Sequence, residues 1–195
     1  MSTIQRRAGV RPRRFSKAEY YRLGELGFFR GQKVELIDGR LMVHSPQSAP
    51  HSTAIARVAG ALQTAFPSGY IVRQQFPIDL GQTTEPEPDV AVVAGTLAQY
   101  AHAHPTTAEL IVEVSETTLT YDRGRKGSLY ARAGVADYWV VNLVQRQVEV
   151  YRAPIADANE PFGHRYSSRT DVQVGGTVSP LAVPAAALAV ADLMP

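Results

Sequence analysis

The stretch at residues 110–126, LIVEVSETTLTYDRGRK, sets a glutamate in the middle of a run built for burial. Leu110, Ile111, Val112 and Val114 surround Glu113 with the short apolar density of a buried strand. An ionised carboxylate taken from water into such a setting is costly unless something pairs with it. Two readings are open. Either the run is an edge strand with Glu113 in solvent, or the carboxylate has a partner that makes it useful.

Side chains alternate along a strand, so Ile111, Glu113 and Ser115 share one face and Leu110, Val112 and Val114 the other. The same alternation in PDVAVV, residues 88–93, puts Asp89 with Ala91 and Val93. If the two strands are neighbours, Asp89 and Glu113 converge. Two carboxylates in contact repel unless a cation lies between them. Oxygen-only ligands suit Mg²⁺ or Mn²⁺ rather than zinc. Taken singly, each acid is more often an edge-strand solubiliser than a ligand.

Downstream, Asp122 is expected to cap a helix that Gly134 ends. Helical spacing then groups Lys126 with Leu129, Tyr130 and Ala133, and leaves Arg125, Ser128 and Arg132 on a solvated stripe. One of only three lysines in the chain therefore faces inward, just after the strand that carries Glu113. A snorkelling lysine is one account of this. A lysine paired to a buried carboxylate cluster is the other, and it answers the question Glu113 poses.

Working outward, Ser16 and Glu19 form a capping-box pattern opening a short helix through about Leu26. KVELIDGRLMV, residues 33–43, reads as a hairpin about Asp38-Gly39, a pair that tolerates positive φ. Residues 46–66 read as a helix with Ile55, Val58, Ala59, Leu62 and Phe66 on one stripe, and His51 one turn before it. Strand-like runs follow at 70–75, 77–80, 89–93 and 110–115, with a second hairpin in DYWVVNLVQRQVEVYR, residues 137–152. From Asp171 a strand leads into a Pro-rich tail whose Leu181, Val183, Leu188, Val190 and Leu193 are expected to dock on the body. This order predicts an α/β fold with a mixed β-sheet flanked by helices.

At 195 residues, 45% hydrophobic and 19% charged, the chain is long enough for one sizeable core. It is divided here into a basic N-terminal arm at 1–14 and a single domain at 15–195. The absence of cysteine excludes disulfides, thiolate metal sites and cysteine nucleophiles. Pro180 and Pro184 break the longest uncharged stretch, so no membrane helix is expected. No signal peptide pattern is present, and a cytoplasmic location is expected. The net charge of +2 conceals an asymmetry: residues 1–18 hold six basic residues and no acid, leaving 14 basic against 18 acidic residues. Such an arm is either a phosphate contact, through residues such as Arg13 and Arg14, or a solubilising leader.

VELIDGRL, the EPDVAVV of residues 87–93, IVEVSETTLTYDRGRKGSLYARAGVADYWVV and QVEVYR together resemble the Uma-two type, a large bacterial group assigned as nucleases. That group is placed in the restriction-endonuclease-like PD-(D/E)XK superfamily, and the resemblance runs from about Phe15 to the C-terminus. It implies a restriction-endonuclease-like core and a divalent metal. By position Asp89 is the motif aspartate, Glu113 the motif glutamate and Glu35 a third carboxylate. The superfamily pattern places a lysine two residues after the glutamate, where this chain has Ser115; the family uses a lysine on the following helix, here Lys126. Asp122 and Tyr130 also match family positions, although a helix cap and a core aromatic explain them without chemistry. His51, Ser115 and Tyr130 are candidates for the pocket wall.

These assignments lead to an expected mechanism. Asp89 and Glu113, with Glu35 and the Val114 carbonyl, would hold one or two Mg²⁺ (or Mn²⁺) ions that activate a water. Lys126 would orient that water or offset charge at the phosphate. Arg123, Arg125, Arg13 and Arg14 would hold the backbone of a nucleic acid, DNA being the expected substrate. A homodimer is expected by analogy with enzymes that cut a duplex. Two rivals stand beside this. One is a catalytically silent nucleic-acid-binding or assembly protein on the same fold. The other is a Ser/Lys hydrolase using Ser115 or Ser128, which lacks a glycine-flanked nucleophile turn.

Overall fold

The computed structural model describes residues 11–195, so Arg6 and Arg7 of the basic arm lie outside the described residues. Helix α1 (Lys17–Glu25) opens on the capping box, Ser16 and Glu19 each bonding the other's backbone N–H. Strands β1 (Lys33–Ile37) and β2 (Arg40–His44) form the first hairpin. Its turn residues Asp38 and Gly39 have φ of 53° and 72°, the left-handed pair that matches strand twist. Helix α2 (Ala49–Ala65) buries Ile55, Val58, Ala59 and Leu62, the stripe its periodicity predicts.

The body is a six-stranded mixed sheet in the order β3-β4-β5-β6-β7-β8. Its strands are β3 (Tyr70–Gln74), β4 (Val90–Ala94), β5 (Leu110–Ser115), β6 (Asp137–Asn142), β7 (Gln147–Ala156) and β8 (His164–Gln173). All pairs are antiparallel except β5–β6, which is parallel and needs a crossover. That crossover is α3 (Leu119–Tyr121), a π-turn (Asp122–Lys126) and α4 (Gly127–Arg132). Two short strands, β9 (Thr177–Val178) and β10 (Leu188–Ala189), lead to α5 (Val190–Leu193).

The sheet divides two apolar layers, as expected for an α/β fold flanked by helices. On one side Val90, Val92, Val112, Trp139 and Val141 pack against α2 and the C-terminal Val190, Leu193 and Met194. On the other, Ala91, Ile111 and Val140 meet Tyr130, Tyr138, Tyr151 and Tyr166 beneath α4. The hairpin lies outside this second layer, with Ile37 packed on Leu129 and Phe162. The tail docks as expected through Val190 and Leu193, whereas Leu181 is exposed. Among the described residues no helix is long and apolar enough to cross a membrane.

The structure corrects the sequence reading at four points. Residues 77–80 are not a strand. Gln75, at φ 55°, turns the chain out of β3, and Ile78 and Leu80 bond irregularly to Pro86 and Thr84. Asp122 is not a helix N-cap, because the helix already begins at Leu119 and Asp122 lies in the π-turn. Ser128 is not solvated: it is 2% exposed and accepts the Phe162 N–H at 3.0 Å. The last long strand begins at His164 rather than Asp171, since β8 is an edge strand whose polar side chains give no apolar alternation.

Candidate active site

The two motif acids meet because β4 and β5 are neighbours. Their register pairs Val90 with Val112, so Asp89, one step before β4, faces Glu113. Asp89 is 7% exposed, and its Oδ2 accepts the Val114 N–H at 2.8 Å. Its Oδ1 has only distant company, Gln75 Nε2 at 3.4 Å and His51 Nε2 at 3.5 Å. Val114 thus enters the site through its N–H.

Glu113 is held from the crossover helix. Lys126 Nζ donates to Glu113 Oε1 at 2.8 Å, and the Tyr130 hydroxyl donates to the same oxygen at 2.6 Å. The π-turn determines how Lys126 arrives: Gly127 N–H reaches back to Asp122 O, inserting a residue into the helical turn. Tyr138 donates to that same carbonyl at 3.0 Å. Lys126 therefore faces inward, as its spacing predicts, while Ser128 is covered by the segment at Phe162. Asp122 sits beside it, its Oδ2 accepting Ser115 Oγ at 2.5 Å and Thr118 Oγ1 at 2.6 Å.

Glu35 comes from the hairpin, 91 positions from Lys126 in the chain, and its Oε1 lies 3.4 Å from Lys126 Nζ. The Glu87 N–H donates to that oxygen at 3.1 Å. Among the described residues Glu35 Oε2 is buried without a hydrogen-bond partner; His44 Nε2 is 3.1 Å away but off the line of a bond. Glu35, His44, Glu87, Asp89, Glu113, Asp122 and Lys126 line one cavity of about 570 Å³ together with His51, Glu116 and Tyr121. Ser115 and Tyr130 stand behind its wall and touch it only through Asp122 and Glu113. The Tyr121 hydroxyl is also buried and without a partner among the described residues.

Burial pushes the Glu113 carboxyl up to about 8; the Lys126 charge pulls against this, and Asp89, Asp122 and Glu35 reinforce it. Burial also works to raise Glu35, but Lys126, His44 and the Glu87 N–H together hold it down to about 2. Lys126 is opposed by burial and still raised well above its ordinary value by Glu113 and Glu35.

The arginines expected to hold a nucleic acid are occupied within the chain. Arg123 grips Glu149 through Nε at 2.9 Å and Nη2 at 2.5 Å. Arg125 covers the Phe162 ring at 4.8 Å. Arg13 pairs with Glu19 and Arg14 with Asp38. Sequence reasoning missed His44, Glu87 and Tyr121. His44 was legible in principle, because hairpin register places it on the face of Glu35. Glu87 and Tyr121 carry no comparable signal.

A crystal structure of a putative nuclease belonging to DUF820 from Anabaena variabilis superposes with a TM-score of 0.63 at 14% identity, covering 82% of this chain and 88% of that one. That likeness is one of fold. No curated protein matches the chain. The family model described as putative restriction endonuclease, Uma2, matches residues 18–191. By that match over nearly its whole length, the chain belongs to the Uma2 family.

Proposed function

We propose that this protein is a Mg²⁺-dependent (or Mn²⁺-dependent) endonuclease that hydrolyses phosphodiester bonds of nucleic acid, with DNA as substrate. One observation carries the reading: Asp89, Glu113 and Glu35, from three separate parts of the chain, gather with Lys126 in one cavity. A scaffold has no need to bury four ionisable side chains together.

The donor chemistry suits such an ion. The acids offer only oxygens, and among the described residues Glu35 Oε2 has no hydrogen-bond partner and Asp89 Oδ1 has none closer than 3.4 Å. Among the described residues no three such side chains yet converge on one point. Bound by Asp89, Glu113, Glu35 and the Val114 carbonyl, the ion would supply Lewis acidity and a water acidified toward neutral pH. The chain itself would do the rest. Asp89 is fixed by the Val114 N–H, Tyr130 orients Glu113, and the Lys126 charge offsets the negative charge building on the phosphate.

A catalytically silent binding or assembly protein is the second reading, and the self-paired Arg13, Arg14 and Arg123 favour it. Cleavage of supercoiled plasmid and single-stranded oligonucleotides with Mg²⁺, Mn²⁺ or EDTA separates the two. Metal-dependent cutting by the wild type, lost in folded Glu113→Ala and Lys126→Ala, establishes the nuclease. A folded wild type that neither cuts nor binds divalent ions in calorimetry leaves the binding protein.

A further inference from the structure

Lys126 is not beside the carboxylate cluster but inside it. Its Nζ lies 2.8 Å from Glu113 Oε1 and 3.4 Å from Glu35 Oε1, and none of the three residues is more than 3% exposed. It is the only lysine among the buried residues. Buried carboxylates need a compensating charge at close range, and here that charge is the ammonium. An ammonium and a divalent ion are drawn to these oxygens for the same electrostatic reason. In a poorly screened interior they repel each other at such range, so one must give way.

The side chain can give way without moving the fold. Lysine is a point charge on a flexible four-carbon stem. Its helix is pinned on either side of Lys126: Tyr138 bonds Asp122 O, and Ser128 Oγ holds the Phe162 N–H. Glu113 keeps a partner when the ammonium leaves, because Tyr130 donates to the same Oε1.

We propose that Lys126 is the resident cation of this cluster, and that its ammonium yields Glu113 and Glu35 to a divalent ion when one binds. This rests on the metal-dependent reading of the same site. The lysine then acts twice. It holds the acids together before the ion arrives, and it sets how tightly the ion is held. Removing it weakens the ion-free fold and strengthens the grip on the ion.

The test reads Lys126 directly. The chain has three lysines, Lys17, Lys33 and Lys126. Lysine-selective ¹⁵N labelling of the whole protein thus leaves a buried, slowly exchanging ammonium signal to Lys126. Mg²⁺ titration, with binding followed in parallel by calorimetry, should shift or broaden that signal as the ion binds. In Lys126→Met, the melting temperature in EDTA should fall, Mg²⁺ affinity should rise by roughly tenfold or more, and Mg²⁺ should restore more stability than in the wild type. A Lys126 signal unmoved at Mg²⁺ saturation overturns the proposal, as does a Lys126→Met affinity equal to or below wild type. If the variant does not fold, the wild-type signal decides alone. Metal-dependent cleavage with an unmoved signal sinks this inference and spares the nuclease. No Mg²⁺ binding and no cleavage by the wild type sinks both.

Discussion

The Asp89 carboxylate accepts the backbone N–H of Val114 at 2.8 Å, so one motif acid is tied to the strand that carries the other. The bond fixes Asp89 through one oxygen and leaves Oδ1 in the cavity with only distant neighbours. Asp89→Asn keeps an oxygen acceptor of the same shape and loses the charge. Its unfolding free energy should stay within about 1 kcal/mol of wild type. Nuclease turnover should fall by about a hundredfold or more, the scale of losing a metal ligand's charge stabilisation. Urea denaturation and a plasmid assay on the same preparation check both halves. Wild-type turnover in the variant would remove Asp89 from the chemistry.

Tyr130 donates at 2.6 Å to the carboxylate oxygen that also receives Lys126. Tyr130→Phe takes away one of two donors from a buried acid without opening a cavity. A loss of about 1 kcal/mol in urea unfolding is expected. A packing role for the ring alone would leave the stability unchanged.

Asp137 anchors the tail. Fully buried, it accepts Trp139 Nε1 at 3.0 Å, Arg152 Nε at 2.8 Å and the Leu181 N–H at 2.8 Å. Arg152 in turn holds Ser179 O at 2.6 Å. Asp137→Ala strands these donors and should cost about 3 kcal/mol. Limited proteolysis should then cut within residues 179–189 first; cleavage elsewhere with an intact tail would deny the anchor.

Glu149 provides a pH signature away from the cavity. Its burial favours the neutral acid, but donors from Arg123, Asn142, Tyr151 and Gln147 hold it down to about 2 from an ordinary 4.5. A carboxyl lowered on folding contributes stability above its unfolded value, and that contribution is lost as pH falls toward the folded one. Between about pH 4.5 and 2 the wild type should lose stability more steeply than Glu149→Gln. Thermal melts across that range make the comparison; Glu35, lowered in the same direction, contributes equally to both proteins. Parallel acid limbs would refute it.

The elements that could be read directly were those governed by neighbours in the chain. Ser16 and Glu19 are three residues apart, and Asp38-Gly39 needs only its own φ values, so α1 and the first hairpin were legible. Alternation placed Glu113 and Asp89 on their faces, and the family resemblance singled out Glu35. Edge strand β8 was not legible beyond its last residues, because one of its sides meets solvent and the other holds a lone buried Tyr166. The π-turn was not legible either. A regular period predicted both an inward Lys126 and a solvated Ser128, but the distant segment at Phe162 covers Ser128.

By itself the sequence determined which charges stand on apolar faces, an acid inside LIVEV and a lysine on an apolar stripe, and left open whether each meets solvent or a partner. Only the tertiary structure decided which of them meet. Asp89 and Val114 are 25 positions apart, Glu35 and Lys126 91 apart, and such contacts depend on strand order and on where the hairpin lands. Those are settled by the packing of whole layers. A local pattern can state that a carboxylate needs a partner; the closing of the sheet over the crossover helix supplies it.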